Sequence, residues 1–244
     1  MTGSVPKYPQ DCDPAATANR PQTDWAIVPA FNEAVTIAEV VRDVRAIGLR
    51  VVVVDDGSVD ETAKVAACAG AAVVVHPVNL GQGAALQTGL EFALAHGAEF
   101  VVTFDADGQH DAEDVAALLA PLKAGTAEFA LGSRFLGSTV EAPRTRRLLL
   151  KAATAYTRLT SGLVVTDSHN GLRAMTRRGA GAIHLRQNRM AHASEILDQI
   201  ARSRLPYVEI PVTISYTAHS LAKGQKTSDA ITILLDLAAR SLQR

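Results

Sequence analysis

Four consecutive valines, Val51 to Val54, stand between Arg50 and an Asp55-Asp56-Gly57-Ser58 segment. A β-branched run with no polar alternation suits a strand covered on both faces, as at the centre of a parallel sheet. The rest of the chain agrees. From Trp25 onward, short β-branched runs alternate with longer Ala-rich stretches, the pattern of parallel strands joined by covering helices. Strands are predicted at Trp25 to Val28, Val51 to Val54, Ala72 to His76, Phe100 to Phe104 and Glu128 to Leu131. Helices are predicted at Thr36 to Ile47, Asp60 to Ala69, Gly83 to Ala95 and Ala112 to Lys123. The expected fold class is α/β, a Rossmann-like, mostly parallel sheet flanked by helices in a single domain.

After about residue 140 the rhythm changes. A basic amphipathic helix is expected from Arg146 to Ser161, a loop from Thr166 to Arg173, a helix from Ala193 to Ser203, a strand from Tyr207 to Ile214 and a last helix from Ser228 to Leu242. Residues 1–23, rich in Pro, Thr, Asp and Ala, read as a flexible leader without the apolar core of a signal peptide. No run of about 18 apolar residues is present to span a bilayer. Lys and Arg number 24 against 25 Asp and Glu, so the whole molecule exerts no pull on nucleic acid, and such a partner is not expected. Two cysteines, Cys12 and Cys68, are too few for a disulfide framework or a zinc site and point to a reducing compartment.

In an open parallel sheet, ligands bind beyond the carboxyl ends of the strands. Strand one there runs into Pro29-Ala30-Phe31-Asn32-Glu33, strand two into Asp55-Asp56, and strand four into Asp105-Ala106-Asp107-Gly108-Gln109. Three acidic clusters therefore meet at one edge. Asp105 and Asp107, two apart, with the carbonyl of Gln109, offer oxygen ligands to a hard divalent cation, Mg²⁺ or Mn²⁺, whose shell substrate phosphates would complete. The plainer alternative is an acidic turn with Asp111 capping the next helix. Asp55 and Asp56 are costly at the end of a buried strand unless solvated or hydrogen-bonded, and donor groups on a base or ribose would satisfy one of them. Asn79-Leu80-Gly81-Gln82-Gly83 opens a helix with two glycines, which admits a ligand to its N–H groups or makes an ordinary turn.

The ordered segments PAFNE, VVVDDGSVDET, NLGQGAALQTG, DADGQHDAED and GSR resemble the family 2 glycosyltransferases with the GT-A fold. Within them the chain is most similar to the dolichyl-phosphate mannose synthase group, which moves a sugar from a nucleotide donor to a polyprenyl phosphate. Soluble polyprenyl-phospho-N-acetylgalactosaminyl synthases are one specific case. The resemblance implies that Pro29, Ala30, Asn32, Glu33 and Asp56 hold the base and ribose, that Asp105 faces the nucleotide, and that Asp107 and Gln109 bind Mg²⁺ or Mn²⁺. It matches Asp167 to Arg173 with the family's DxxxGxR segment at the acceptor and sugar site, Glu195 with an acidic residue near the sugar, and Lys223 and Lys226 with a basic loop over the phosphates. Gln82 stands where relatives commonly carry Lys. Residues 24–226 would form the catalytic domain and 227–244 a C-terminal amphipathic helix.

The implied chemistry is a metal-dependent, inverting, single in-line displacement serving cell-envelope glycan synthesis. A hydroxyl acceptor would need a general base, with Asp167 or Glu195 as candidates. A phosphate monoester is already ionised at neutral pH and would need cations instead, with Arg134, Arg144, Arg173, Lys223 and Lys226 available. His110, just after the acidic motif, and His192, three positions before Glu195, are further candidates for the site. Arg144 to Lys151 combine cations with leucines, as suits a helix at a lipid interface or a charged face on the sheet. Together these imply a cytoplasmic protein peripherally bound to the inner face of the plasma membrane, directly or through a small membrane-protein partner. Two other readings stay open: transfer to a saccharide or small-molecule hydroxyl, and a weakly catalytic nucleotide-sugar-binding subunit of a membrane enzyme.

Overall fold

The valine run is fully buried and forms β2 (Arg50–Asp55), flanked by β1 (Asp24–Ala30) and β3 (Ala72–Val75). A computed structural model describes residues 23–137, 139–140, 154, 162–168, 170–187 and 191–215. Its other elements are α1 (Ile37–Ala46), α2 (Thr62–Cys68), α3 (Gln82–Ala95), β4 (Phe100–Thr103), α4 (Asp114–Lys123), β5 (Phe129–Ser133), β6 (Thr139–Val140), β7 (Arg173–Thr176), α5 (Arg177–Gly181), α6 (Ala191–Ser203), β8 (Tyr207–Pro211) and β9 (Ile214–Ser215). Seven strands form one sheet in the order β3-β2-β1-β4-β7-β5-β8, and β6 pairs with β9 beside it.

Alternate residues of the central strands enter opposite cores, as the absence of polar alternation requires. Ala26, Val28, Val51 and Val53 pack with Val40, Val41, Leu118 and Leu119 of α1 and α4. Trp25, Ile27, Val52 and Val54 pack with Leu86 and Leu90 of α3 and Ile196, Leu197 and Ile200 of α6. Gly89 lets α3 approach closely, since a Cβ there would collide with Ile27 Cγ2.

Every strand of the large sheet points the same way except β7, which is antiparallel to both neighbours, β4 and β5. The loop expected from Thr166 to Arg173 gives way to this strand at its last residue, where β7 begins. The consequence is positional. Thr103 and Leu131, near the carboxyl ends of β4 and β5, both register with Arg173, the first residue of β7. Only a reversed strand can bring its leading residue to that edge.

The strand expected from Tyr207 to Ile214 divides into β8 and β9. It breaks after Pro211, where the Thr213 N–H leaves the ladder to donate to Asp114 Oδ2 at 2.6 Å. The expected leader, the helices at 146–161 and 228–242, and the basic loop with Lys223 and Lys226 lie outside the described residues, apart from Thr23 and Thr154. Among the described residues no helix is long and apolar enough to cross a membrane.

Candidate active site

The loops leaving β1, β2 and β3 are stitched to one another. The Ala30 carbonyl, beside Pro29 at the buried end of β1, accepts the Asp56 N–H at 2.8 Å. Asn32 sits in the left-handed region at φ 55, which Asn tolerates better than most residues. Its N–H donates to Ser58 Oγ and its Oδ1 accepts the Val59 N–H, each at 2.9 Å. The Glu33 N–H donates to Thr62 Oγ1 at 2.8 Å, while the Glu33 carbonyl accepts the N–H groups of Thr36 and Ile37 and starts α1. Gly57, at φ +76, brings the second loop onto the third: a Cβ there would lie 2.6 Å from the Val78 carbonyl carbon.

Asp55 and Asp56 are both 3% exposed, and the donors that make this tolerable are the chain's own. Asp55 accepts from the N–H and hydroxyl of Ser58. Asp56 accepts the Leu80 N–H at 2.9 Å, the Gly81 N–H at 2.7 Å and His76 Nδ1 at 2.7 Å, and His76 Nε2 meets Thr88 Oγ1 at 2.9 Å. Asp56 thus fastens the entrance of α3 to the end of β2. Replacing it with Ala strands two backbone donors and a buried imidazole. The expected cost is about 3 kcal/mol of unfolding free energy, read from urea denaturation, with Asp56→Asn milder because one acceptor remains.

Beyond β4, Asp105 receives His110 Nε2 at 2.9 Å and Gln82 Nε2 at 3.3 Å, so α3 and the acidic turn hold it from two sides. Gly171 lies under its carboxylate, where a Cβ would collide with Oδ2. Burial pushes the Asp105 carboxyl up, but the His110 hydrogen bond and the positive fields of His110, His192 and Arg173 outweigh it and hold it below the usual carboxylate range. Asp107 behaves oppositely. Burial first, then the negative charge of Asp105, lift it above that range, although Gln109 donates to it from backbone and side chain and His110 acts in the same downward sense.

Two carboxylates two residues apart, one raised by the charge of the other, suit a divalent cation. Among the described residues no group of three or more His, Cys, Asp or Glu side chains could enclose a metal alone. A cation at Asp107 would therefore draw further oxygens from Gln109 and from a ligand, the habit of Mg²⁺ and Mn²⁺. The residues fit the ion the motif implied.

Across the site stand two arginines, Arg173 buried and Arg134 half-buried. Burial draws the Arg173 guanidinium down to about 10, against the upward pull of Asp105 and Asp167, so it remains a cation at neutral pH. Arg134, just past β5, donates from Nε to Asp167 Oδ2 at 2.6 Å and from its backbone N–H at 3.2 Å. Glu195 on α6 accepts the N–H groups of Arg186, at 3.1 Å, and Gln187, at 2.8 Å. It therefore clamps a loop whose Gln187 carbonyl crowds Gly83 at the start of α3. Asn170 is buried with its side-chain nitrogen unpaired, although its Oδ1 accepts the Leu172 N–H.

The structure thus gathers Asp105, Asp107, Gln109, Arg173, Arg134 and Asp167 at one sheet edge, with the loop of Asn32, Glu33 and Asp56 beside them. Three residues that touch this group carry no expected role from the sequence: Gln82 and Gly171 meet the Asp105 carboxylate, and Glu209 accepts the Asp167 N–H. Gln82 was noted only as a departure, Gly171 only as part of its segment, and Glu209 of β8 not at all. Its signal was a lone carboxylate in the apolar strand YVEIP.

Residues 25–182 match the model of glycosyl transferase family 2. A UDP-N-acetylglucosamine–dolichyl-phosphate N-acetylglucosaminyltransferase of Methanococcus voltae is 32% identical, over 82% of this chain and 88% of its own length. Polyprenol monophosphomannose synthase of Mycolicibacterium smegmatis is 36% identical, over 68% of this chain and 65% of its own. Among solved structures, glucosyl-3-phosphoglycerate synthase from Mycobacterium tuberculosis, in complex with Mn²⁺, UDP and glucosyl-3-phosphoglycerate, superposes with a TM-score of 0.68 at 24% identity, covering 89% of this chain and 80% of that one. That likeness is one of fold, the mixed α/β sheet of GT-A glycosyltransferases.

Proposed function

This chain belongs to glycosyl transferase family 2, and from that premise we propose that it moves a sugar from a nucleotide-sugar to a polyprenyl phosphate, with inversion at the anomeric carbon. One observation carries the choice of a phosphate acceptor. Both carboxylates that could serve a hydroxyl acceptor as general base are committed, Asp167 to Arg134 and Glu195 to two backbone N–H groups. An acceptor phosphate carries its own negative charge and needs cations to seat it, and the site supplies Arg134 and Arg173.

In this reading an acceptor phosphate oxygen attacks the anomeric carbon from the face opposite the nucleoside diphosphate. The bond from that carbon to the diphosphate oxygen breaks as the new one forms, and the electron pair leaves on the diphosphate. Pro29, Ala30, Asn32 and Glu33 frame the base and ribose, and Asp56 serves that loop by anchoring its neighbour. Asp105 faces the nucleotide, and Glu195 borders the sugar by holding the 186–187 loop. Lys223 and Lys226, outside the described residues, would close over the phosphates. Asp107 and Gln109, beside Asp105, would hold Mg²⁺ or Mn²⁺, which would screen the charge growing on the leaving diphosphate. The lipid acceptor implies peripheral contact with a membrane surface, through the basic 144–151 segment or a small membrane-protein partner.

The test is incubation with radiolabelled UDP-, GDP- and dTDP-sugars, polyprenyl phosphate and Mn²⁺ or Mg²⁺, scoring label in the organic phase. One donor should give lipid-soluble product, EDTA should abolish it, and excess Mn²⁺ or Mg²⁺ should restore it. Transfer to saccharide acceptors with no organic-phase label from any donor would overturn the proposal.

A further inference from the structure

Two side chains of β8 hold the backbone of the segment from Gly162 to Ser168, which carries Asp167 to Arg134. The Tyr207 hydroxyl bonds both the N–H and the carbonyl of Val164 at 3.2 Å. Glu209 Oε1 accepts the Thr166 N–H at 2.7 Å, the Thr166 hydroxyl at 2.9 Å and the Asp167 N–H at 3.3 Å. Tyr207 and Glu209 are two apart on a strand and so share a face, and the residues they hold are likewise two apart. Thr166 Oγ1 also meets Ser133 Oγ at 2.6 Å, which ties the segment to the end of β5 just before Arg134.

We propose that Glu209 is a positioning residue: from the edge strand it splints residues 166–167, so that Asp167 can aim the Arg134 guanidinium at the acceptor phosphate. β8 runs parallel to β5 with Glu209 in register with Leu131, so the splint and the arginine it serves rise from adjacent strands. The contact uses one oxygen as an acceptor of neutral donors, and no hydrogen bond or ion pair described for Glu209 involves a cation. Its geometry rather than its charge is the working feature, and Gln can reproduce that geometry.

The inference rests on the phosphate-acceptor reading, and the test separates the two. Glu209→Ala should raise the KM for polyprenyl phosphate about tenfold, the scale of losing hydrogen bonds to a charged group, with the nucleotide-sugar KM within about twofold of wild type. Glu209→Gln should restore the acceptor KM. Amide hydrogen exchange at Thr166 and Asp167 should accelerate in Glu209→Ala but not in Glu209→Gln. Unchanged exchange in the Ala variant, equal damage in both variants, or an equal rise in both KM values would overturn the splint. A wild-type protein that makes no lipid-linked product would overturn the acceptor reading instead, while the exchange data still decide the splint.

Discussion

Asp107→Ala should lower kcat about 10³-fold, a loss of about 4 kcal/mol in transition-state stabilisation, while the unfolding midpoint at neutral pH stays level or rises. The two halves of this result have one cause. Asp107 is held above the ordinary carboxylate range by burial and by Asp105. A carboxyl whose pKa is raised on folding opposes the folded state once pH exceeds its unfolded value, and that penalty fades as pH falls. At neutral pH Asp107 is therefore a burden on stability, and its removal relieves Asp105 of a neighbouring carboxyl group. Steady-state kinetics paired with calorimetry checks both parts. Full turnover in the variant would remove Asp107 from the machinery, and a cooperative loss of structure would make it a structural residue.

Gly171→Ala should reduce activity about a hundredfold and cost about 1–3 kcal/mol of stability, the usual range for a methyl forced into filled space. The new Cβ would coincide with the Asp105 carboxylate. Neither partner can yield easily. The Gly171 carbonyl accepts the Thr103 hydroxyl at 2.6 Å, and Asp105 is held by His110 and Gln82. If the damage runs through Asp105, the Asp105→Ala and Gly171→Ala deficits in kcat should fail to add in the double variant. Additive deficits would show that Gly171 acts elsewhere.

The β1–β4 half of the molecule was largely readable in the sequence, because these strands join through short helical connections and announce themselves by β-branched runs. The acidic motifs then fall at the carboxyl edge by the geometry of parallel strands alone. The other half was not readable by the same means. Arg173-Ala174-Met175-Thr176 is too short to show a period and follows a polar stretch, so its strand character comes only from the open ladders of β4 and β5 on either side. Asp56 and Glu195 were visible as acidic residues in suggestive places, but which N–H groups reach them depends on loops brought together by the fold. Glu209 shows the same limit from the other side: a lone carboxylate in an apolar strand signals a partner without saying which.

The reversed strand also orders the assembly of the molecule. β1, β2, β3 and β4 pair through connections short in sequence, and closing such loops is quick. β4 and β5 share no ladder until residues 173–176 arrive between them from far along the chain, and until then each exposes a row of unpaired N–H and C=O groups. The acidic loops belong to the half that closes early, and the arginine that faces them arrives only with β7, from later in the chain. A nascent or truncated chain lacking β7 would therefore carry the carboxylates of the site without Arg173, the cation set among them, and would display two adhesive strand edges in its place.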